Sequence, residues 1–151
     1  LRAKAMPARA LAELAMDART RCQAAGAELL VNGEPGLAAD LGIGVHLTSK
    51  QLLGLSERPL PAGQLVAASC HDADELAQAE GLGLDFAVLG PVRATESHPG
   101  AATLGWEGFS QLREGVSLPI YALGGMRAQD VATARRHGGQ GVAGIRALWP
   151  K

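Results

Sequence analysis

With 151 residues, the chain is long enough to bury the core of one domain, and we treat residues 1–151 as a single domain. The formal net charge is −1, both signs are interspersed and only 3% of the residues are aromatic, so the composition argues against nucleic-acid binding and against a membrane surface held by bulk charge. The apolar runs are of strand length and no cationic, apolar leader is visible, so we expect no transmembrane segment and a cytoplasmic location.

Strand-like and helix-like patterns alternate along the chain, an order typical of a parallel sheet. The first helix is predicted over residues 6–25, where Leu11, Leu14, Ala15, Ala18 and Cys22 form an apolar stripe. Strands are predicted over 27–33, 43–47, 65–70, 85–90, 119–125 and 140–149. Further helices are predicted over 34–42, 72–83, 106–116 and 127–139, with a Pro- and Gly-rich connector over 50–64 and a long loop over 91–105.

Polar residues and glycines follow several of these strands, among them Asn32, Ser69, Gly124 and Gly125. A closed (β/α)8 barrel and an open doubly wound sheet both bind ligands at the carboxyl ends of their parallel strands. The pattern therefore predicts a ligand site at this edge of the sheet and leaves both folds open.

Gly124 and Gly125 stand between a predicted strand and a predicted helix, and two explanations are open. One is a tight turn with backbone angles that glycine adopts more easily than other residues. The other is an anion site, in which backbone N–H groups approach a phosphate near the start of the next helix.

The two cysteines and four histidines do not show the spacing of a metal site. Cys22 and Cys70 lie far apart, without a CxxC pair or a histidine cluster nearby. We predict buried free thiols rather than a disulfide, and no zinc site.

Seven segments occur in an order that resembles the thiamine-phosphate synthase family and its thiazole tautomerase relatives: LRAK, LLVNG, GVHL, ASCHDADE, AVLGPVRATESHPG, ALGGM and GVAGI. The resemblance covers nearly the whole chain and implies a (β/α)8 barrel. Because LRAK resembles the end of the family's second strand, the chain is expected to lack the first strand-helix unit and most of the second strand. The HPGAATLGW stretch is similar to barrels that follow a Nudix hydrolase domain, so an N-terminal Nudix domain is an expected partner.

The resemblance also implies a set of site residues. Gly124 and Gly125, with Ala143 and Gly144, match the phosphate-binding turns after the last two strands. Arg2, Lys4 and Asn32 match the diphosphate or pyrimidine side, and Ser69, Thr95, Ser97 and His98 match the thiazole side, with His98 where the family usually has lysine. The alternatives are chain-terminal charges for Arg2 and Lys4, a turn residue for Asn32, and hydrogen bonds that cap loops for the hydroxyls.

The family's Mg²⁺ ligands are not matched. The resemblance places Gly33 and Gln51 at the positions of its two aspartates, and a glycine with a neutral amide cannot replace two carboxylates. The tautomerase's histidine falls at Pro91. We therefore expect no metal ion and assign no catalytic residue.

Three functions remain open. One is a module that binds a phosphorylated small molecule, attached to a Nudix hydrolase. The second is a working transferase, which joins a pyrimidine diphosphate to a thiazole phosphate, and the third is an enzyme for another phosphorylated substrate. The identity of the ligand and the formation of a homo-oligomer are left open.

Overall fold

The computed structural model describes residues 1–3, 5–95, 100, 102–144 and 147–148. The strands within these ranges form one six-stranded parallel sheet. They are β1 Leu30–Asn32, β2 Gly44–Leu47, β3 Val66–Cys70, β4 Phe86–Leu89, β5 Ile120–Leu123 and β6 Gly141–Ala143.

The strands lie in the sheet in the order in which they occur in the sequence, from β1 to β6. Each pairs in parallel with the next. A doubly wound sheet reverses its strand order at a switch point, whereas a barrel adds each strand beside the previous one. The sheet is therefore TIM-barrel-like, and the prediction of a barrel fold is confirmed.

Leu1 extends this sheet beyond β1. The backbone nitrogen of Leu1 donates to the carbonyl of Leu30 at 2.5 Å, and the carbonyl of Leu1 accepts from the N–H of Asn32 at 2.9 Å. Bonds to the residues before and after one partner are those of a parallel ladder. Leu1 therefore lies alongside β1, while the expectation that LRAK ends a strand stays a prediction, because Lys4 is outside the described residues.

One helix precedes β1, and the others connect consecutive strands. They are α1 Ala8–Ala24, α2 Pro35–Leu41, α3 Ser49–Leu53, α4 Ala73–Gly81, α5 Gly105–Glu114 and α6 Val131–Arg136, the last preceded by a 3₁₀ turn over Ala128–Asp130. The prediction of an irregular connector over 50–64 was wrong at its start, where α3 begins with a capping box between Thr48 and Gln51. Within the described part of the chain, no helix has the length and apolar character needed to cross a membrane.

The two faces of the sheet differ in burial. The outer face packs against the helices and carries the core, where Val45, Ala68, Leu89 and Ala122 are all 0% exposed. The inner face, which would line a barrel, is mostly half-buried and carries the polar residues of the strands. The apolar packing that stabilises the fold therefore lies on the outer face of the sheet, and the polar groups of the strands lie on its inner face.

An ion pair anchors the connector at the amino ends of β3 and β4. Asp85 Oδ2 accepts from Arg58 Nη2 at 2.6 Å and from the N–H of Val66 at 2.7 Å. Burial alone would raise the pKa of Asp85, but the bonds from Val66 and Arg58, together with the charge of Arg58, lower the pKa below its ordinary value. The connector is thus held to the sheet at the end opposite the predicted site.

Candidate functional site

The carboxyl ends of the six strands share one edge of the sheet, which we call the mouth. Asn32 ends β1, Ser69 is the penultimate residue of β3, and Gly124 and Gly144 directly follow β5 and β6. Thr95 lies in the segment that follows β4. Of the other predicted site residues, Lys4, Ser97 and His98 lie outside the described residues.

A cavity of about 370 Å³ opens at the mouth beside β1. Arg2 and Asn32, which the sequence assigned to one side of the site, line this cavity together. Glu34, Thr48 and Gln51 add further polar groups to its wall. The wall of the cavity therefore includes polar side chains, with one positively charged group, Arg2, and one negatively charged group, Glu34.

The side chain of Gln51 joins two loops of the mouth. Its Nε2 donates to the carbonyl of Gly33 at 2.8 Å, and its Oε1 accepts from the N–H and the hydroxyl of Thr48 at 3.1 and 3.0 Å. The Thr48 hydroxyl oxygen in turn accepts from the N–H of Gln51 at 3.3 Å. We call the bond between Gln51 and Gly33 the clasp, because it ties the loop after β1 to the start of α3.

The residues present here do not fit a Mg²⁺ ion. Gly33 has no side chain, and a Cβ built on it would lie 3.5 Å from Gln51 Oε1, so the clasp fills the adjacent space. The oxygen of Gln51 already accepts from two donors of Thr48. Glu34 is the one carboxylate among the described residues that line the cavity. Mg²⁺ requires several oxygen ligands in octahedral geometry, and this set does not offer the two carboxylates that the family resemblance implies.

His46 lies on the inner face between the two sides of the site. Its Nε2 is 2.9 Å from Ser69 Oγ, and it pairs in register with Asn32. Burial, and then nearby positive charge that includes Arg2, lowers the pKa of His46 below its ordinary value. His46 received no role from the sequence, because its partner lies 23 residues away and single-strand periodicity does not reveal such a pair.

A buried carboxylate fixes the chain that follows Ser69. Glu75 is 6% exposed, and its two oxygens accept from Ser49 Oγ at 2.5 Å and from the N–H of His71 at 2.6 Å. Because Ser49 belongs to α3 and Glu75 to α4, this carboxylate links the loops after β2 and β3. The carboxylate thereby fixes the backbone two residues after Ser69.

Gly124 and Gly125 form a turn that other residues would strain. Their φ angles are +97° and +65°, in the region that favours glycine. A Cβ on Gly124 would lie 2.7 Å from Pro91 Cα, and one on Gly125 would lie 2.9 Å from the carbonyl oxygen of Ala94. The turn and the close approach of the segment after β4 thus each require glycine.

The two predicted phosphate turns adjoin one another. Ala143 pairs in register with Leu123, so Gly144 and Gly124 follow neighbouring strand ends. A Cβ on Gly144 would lie 3.5 Å from the carbonyl oxygen of Met126. The structure therefore brings together the four residues that the sequence grouped as a phosphate site.

The helix predicted over 127–139 begins differently from the expectation. Its first turn is 3₁₀, and the carboxylate of Asp130 accepts from the N–H of Arg127 at 2.9 Å. The same carboxylate, 5% exposed, binds Arg93 Nη1 at 3.0 Å. An internal carboxylate thus already occupies one N–H at this helix start, and an anion at the turn would have to use others.

Both cysteines are free thiols, as predicted from their spacing. Cys70 is buried beneath the outer face, and burial, followed by the charges of Glu75 and Asp72, raises its pKa to about 12. Cys22 is half-buried on α1, so the prediction that both thiols are buried holds fully for Cys70 alone.

A family model described as thiamine monophosphate synthase matches residues 1–148. The thiamine-phosphate synthase of Methanoculleus marisnigri is 36% identical over 151 residues, which cover 98% of this chain and 72% of that protein. The thiamine-phosphate synthase of Chloroflexus aurantiacus is 33% identical over 150 residues, which cover 97% of this chain and 69% of that protein.

Two solved structures resemble the fold. The thiamine phosphate pyrophosphorylase of Pyrococcus furiosus has a TM-score of 0.79 at 24% identity, over 97% of this chain and 71% of that one. FabK of Thermotoga maritima has a TM-score of 0.70 at 16% identity, over 92% of this chain and 47% of that one. At these identities the structural likeness establishes the fold alone. Because the family model matches nearly every residue, the chain belongs to the thiamine-phosphate synthase family.

Proposed function

We propose that this domain binds a phosphorylated small molecule of the thiazole phosphate or thiamine phosphate type without Mg²⁺, and that it has weak or no synthase activity. The clasp between Gln51 and Gly33, at 2.8 Å, carries the proposal. Transfer of a pyrimidine from its diphosphate builds up negative charge on the leaving group, and a metal ion is the usual means of stabilising it. A protein hydrogen bond that joins the two loops provides no equivalent positive charge.

The charges around the mouth favour one phosphate over a departing diphosphate. Arg2 lines the cavity, whereas the guanidinium of Arg93, beside the glycine turn, is paired with Asp130 at 3.0 Å. A single phosphate held mainly by backbone N–H groups of Gly124 and Gly144 would need little additional positive charge. This arrangement supports binding more strongly than diphosphate release.

A magnesium-dependent thiamine-phosphate synthase is the second candidate. It is favoured by the relatives at 36% and 33% identity, both of which bear that name, and by Glu34, whose carboxylate lines the cavity. Under this alternative, Glu34 and water would supply the metal ligands. Regulation of an attached Nudix hydrolase domain and a cytoplasmic location stay predictions from the sequence.

Calorimetric titration with thiazole phosphate, first in EDTA and then at millimolar Mg²⁺, tests the proposal. We expect equal affinity in both buffers. With the pyrimidine diphosphate added, we expect product formation far slower than about 1 per second, at the low end of typical enzymes. Turnover at or above that rate, dependent on Mg²⁺, would make the second candidate correct.

The phosphate turns need a separate test. Replacement of Gly125 by valine is ambiguous, because its φ of +65° makes any side chain unfavourable. Gly144 has no such constraint, and its Cβ would meet mainly the exposed side chain of Leu148 at 3.3 Å. The Gly144→Val variant should therefore fold and bind thiazole phosphate more weakly. The control Gly36→Val, on the exposed side of α2, should fold and bind thiazole phosphate with unchanged affinity. Equal affinity in the two folded variants would mean that the glycines serve only as turns.

A further inference from the structure

His46 lies between two residues that the family resemblance assigns to opposite sides of the ligand site. It pairs in register with Asn32 on β1, and its Nε2 is 2.9 Å from Ser69 Oγ on β3. Residues in register, and residues two apart along a strand, point to the same face of a sheet. The three side chains therefore share the inner face at the mouth, with the imidazole in the middle.

We propose that His46 is a positioning residue whose Nε2 accepts the hydroxyl proton of Ser69, so that Ser69 is held as a hydrogen-bond acceptor toward the ligand. The inference rests on the proposed function, because it requires that Ser69 contacts the bound molecule. It adds a role that neither residue spacing nor the family resemblance assigned to His46.

The hydrogen-bonding capacity of the pair favours this direction. A serine hydroxyl has one proton to donate, and among the described residues His46 Nε2 is its partner. If Nε2 carried the proton instead, the Ser69 hydroxyl would be left without an acceptor in the described part of the chain. With Nε2 as the acceptor, the lone pairs of Ser69 stay available for an N–H or O–H group of the ligand.

Electrostatics keep the imidazole in the form that can accept. Arg2 is the charged side chain that acts on His46, and its inner-face neighbours Asn32 and Ser69 carry no charge. Burial, and then positive charge that includes Arg2, lowers the pKa of His46 below its ordinary value, which favours the neutral ring at pH 7. Below that pKa, Nε2 becomes a donor and must reverse the bond to Ser69.

The first arm of the test needs no ligand. Long-range ¹H–¹⁵N spectra of the labelled protein distinguish a protonated ring nitrogen from an unprotonated one and follow its titration. We expect an unprotonated Nε2 at pH 7.5, a buffer value chosen about one unit above the ordinary pKa of histidine. A protonated Nε2 at this pH would overturn the assignment.

The second arm measures affinity for thiamine phosphate by calorimetry in His46→Leu, His46→Gln, Ser69→Ala and the double variant His46→Leu/Ser69→Ala. His46→Leu should lose about 3- to 10-fold in affinity, the equivalent of one hydrogen bond. His46→Gln should retain affinity, because its amide oxygen can accept the same proton without titrating. In the Ser69→Ala background, the His46→Leu change should have no further effect.

The pH dependence separates positioning from packing. The ratio of the affinities of the unmodified protein and His46→Gln cancels titration of the ligand's phosphate. We expect this ratio to be constant above the pKa of His46 and to fall below it. The proposal would be overturned if His46→Leu caused the full loss of affinity even in the Ser69→Ala background. It would also be overturned if the ratio of the two affinities did not change with pH. Absence of thiamine phosphate binding in the unmodified protein would refute the proposed function, and the spectra would still decide the direction of the His46–Ser69 bond.

Discussion

The energy of the clasp can be tested by replacing Gln51 with leucine, which has a similar size but no hydrogen-bonding groups. The substitution removes the bond from Nε2 to the carbonyl of Gly33 at 2.8 Å and both bonds to Thr48, at 3.0 and 3.1 Å. The Thr48 hydroxyl can still cap α3, because it accepts from the backbone N–H of residue 51 rather than from its side chain.

The expected loss follows from the exposure of each bond. The bond to Gly33 is partly buried and is worth about 1 kcal/mol, whereas the two exposed bonds to Thr48 are largely replaced by water and together add about 0.5 kcal/mol. The sum of about 1.5 kcal/mol corresponds to a fall of about 3–6 °C in Tm for a domain of this size. Gln51→Glu should isolate the clasp, because a carboxylate can still accept from Thr48 but cannot donate to Gly33.

Urea denaturation followed by circular dichroism, together with thermal unfolding, measures both changes. Gln23→Leu, at an exposed position on α1, is the matched control and should change the free energy of unfolding by less than about 0.5 kcal/mol. If Gln51→Glu and Gln51→Leu both unfolded like the control, the bond would carry no energy. The clasp would then not be what holds the loop after β1 to the start of α3.

Three other substitutions or modifications have defined outcomes. Asp85→Asn should lower the free energy of unfolding by about 1 kcal/mol, because solvent screens the ion pair with Arg58. Since folding lowers the pKa of Asp85, this contribution is present above its unfolded-state pKa of about 3.9 and is lost as the pH falls through the lower pKa of the folded state. The urea midpoints of the unmodified protein and Asp85→Asn should therefore converge in acid. Iodoacetamide at pH 8 should modify Cys22 in the native protein and Cys70 only after unfolding, since the pKa of Cys70 is raised to about 12; mass spectrometry showing equal modification would contradict its burial. Gly124→Ala should destabilise the fold by about 2–3 kcal/mol, because of its φ of +97° and the 2.7 Å approach of Pro91, and a Tm equal to that of Gly36→Ala would disprove this strain.

The sequence predicted the central strands closely because each has a short apolar run between turn residues, whereas the strand predicted over 140–149 is observed only as Gly141–Ala143 within the described residues. The predicted strand over 65–70 and the observed β3 at Val66–Cys70 differ by one residue, and the strand predicted over 43–47 became β2 at Gly44–Leu47. Helix α3 was missed because the prolines and glycines of 50–64 dominated the interpretation of that segment. Its signal was present, since Thr48 followed three residues later by Gln51 is a capping-box pattern.

The site was predicted less completely, because its decisive contacts join residues far apart in the chain. The glycine pair was interpreted as a turn or an anion site, and the close approach of Pro91 and Ala94, some thirty residues earlier, is a third reason for glycine that local sequence does not reveal. The same limitation applies to Gln51, whose partner Gly33 lies 18 residues away. The family resemblance implies aspartates at these two positions, but only the fold places Gly33 and Gln51 in contact.

The separation of the two faces explains how the family fold can persist while residues at the mouth vary. Leu47 and Leu76, which hold the sheet to its helices, are almost completely buried on the outside of the barrel, and of the described residues of the buried core only Leu11 and Val31 reach the cavity beside β1. Gly33 and Gln51 are not part of this buried core, so residue changes at these positions remove no core packing and affect mainly the two loops that need a shared partner. Gln51 supplies that partner from within the chain, with one N–H directed at the Gly33 carbonyl. Fold and chemistry can thus diverge independently here, which is why membership of the family does not by itself determine the reaction.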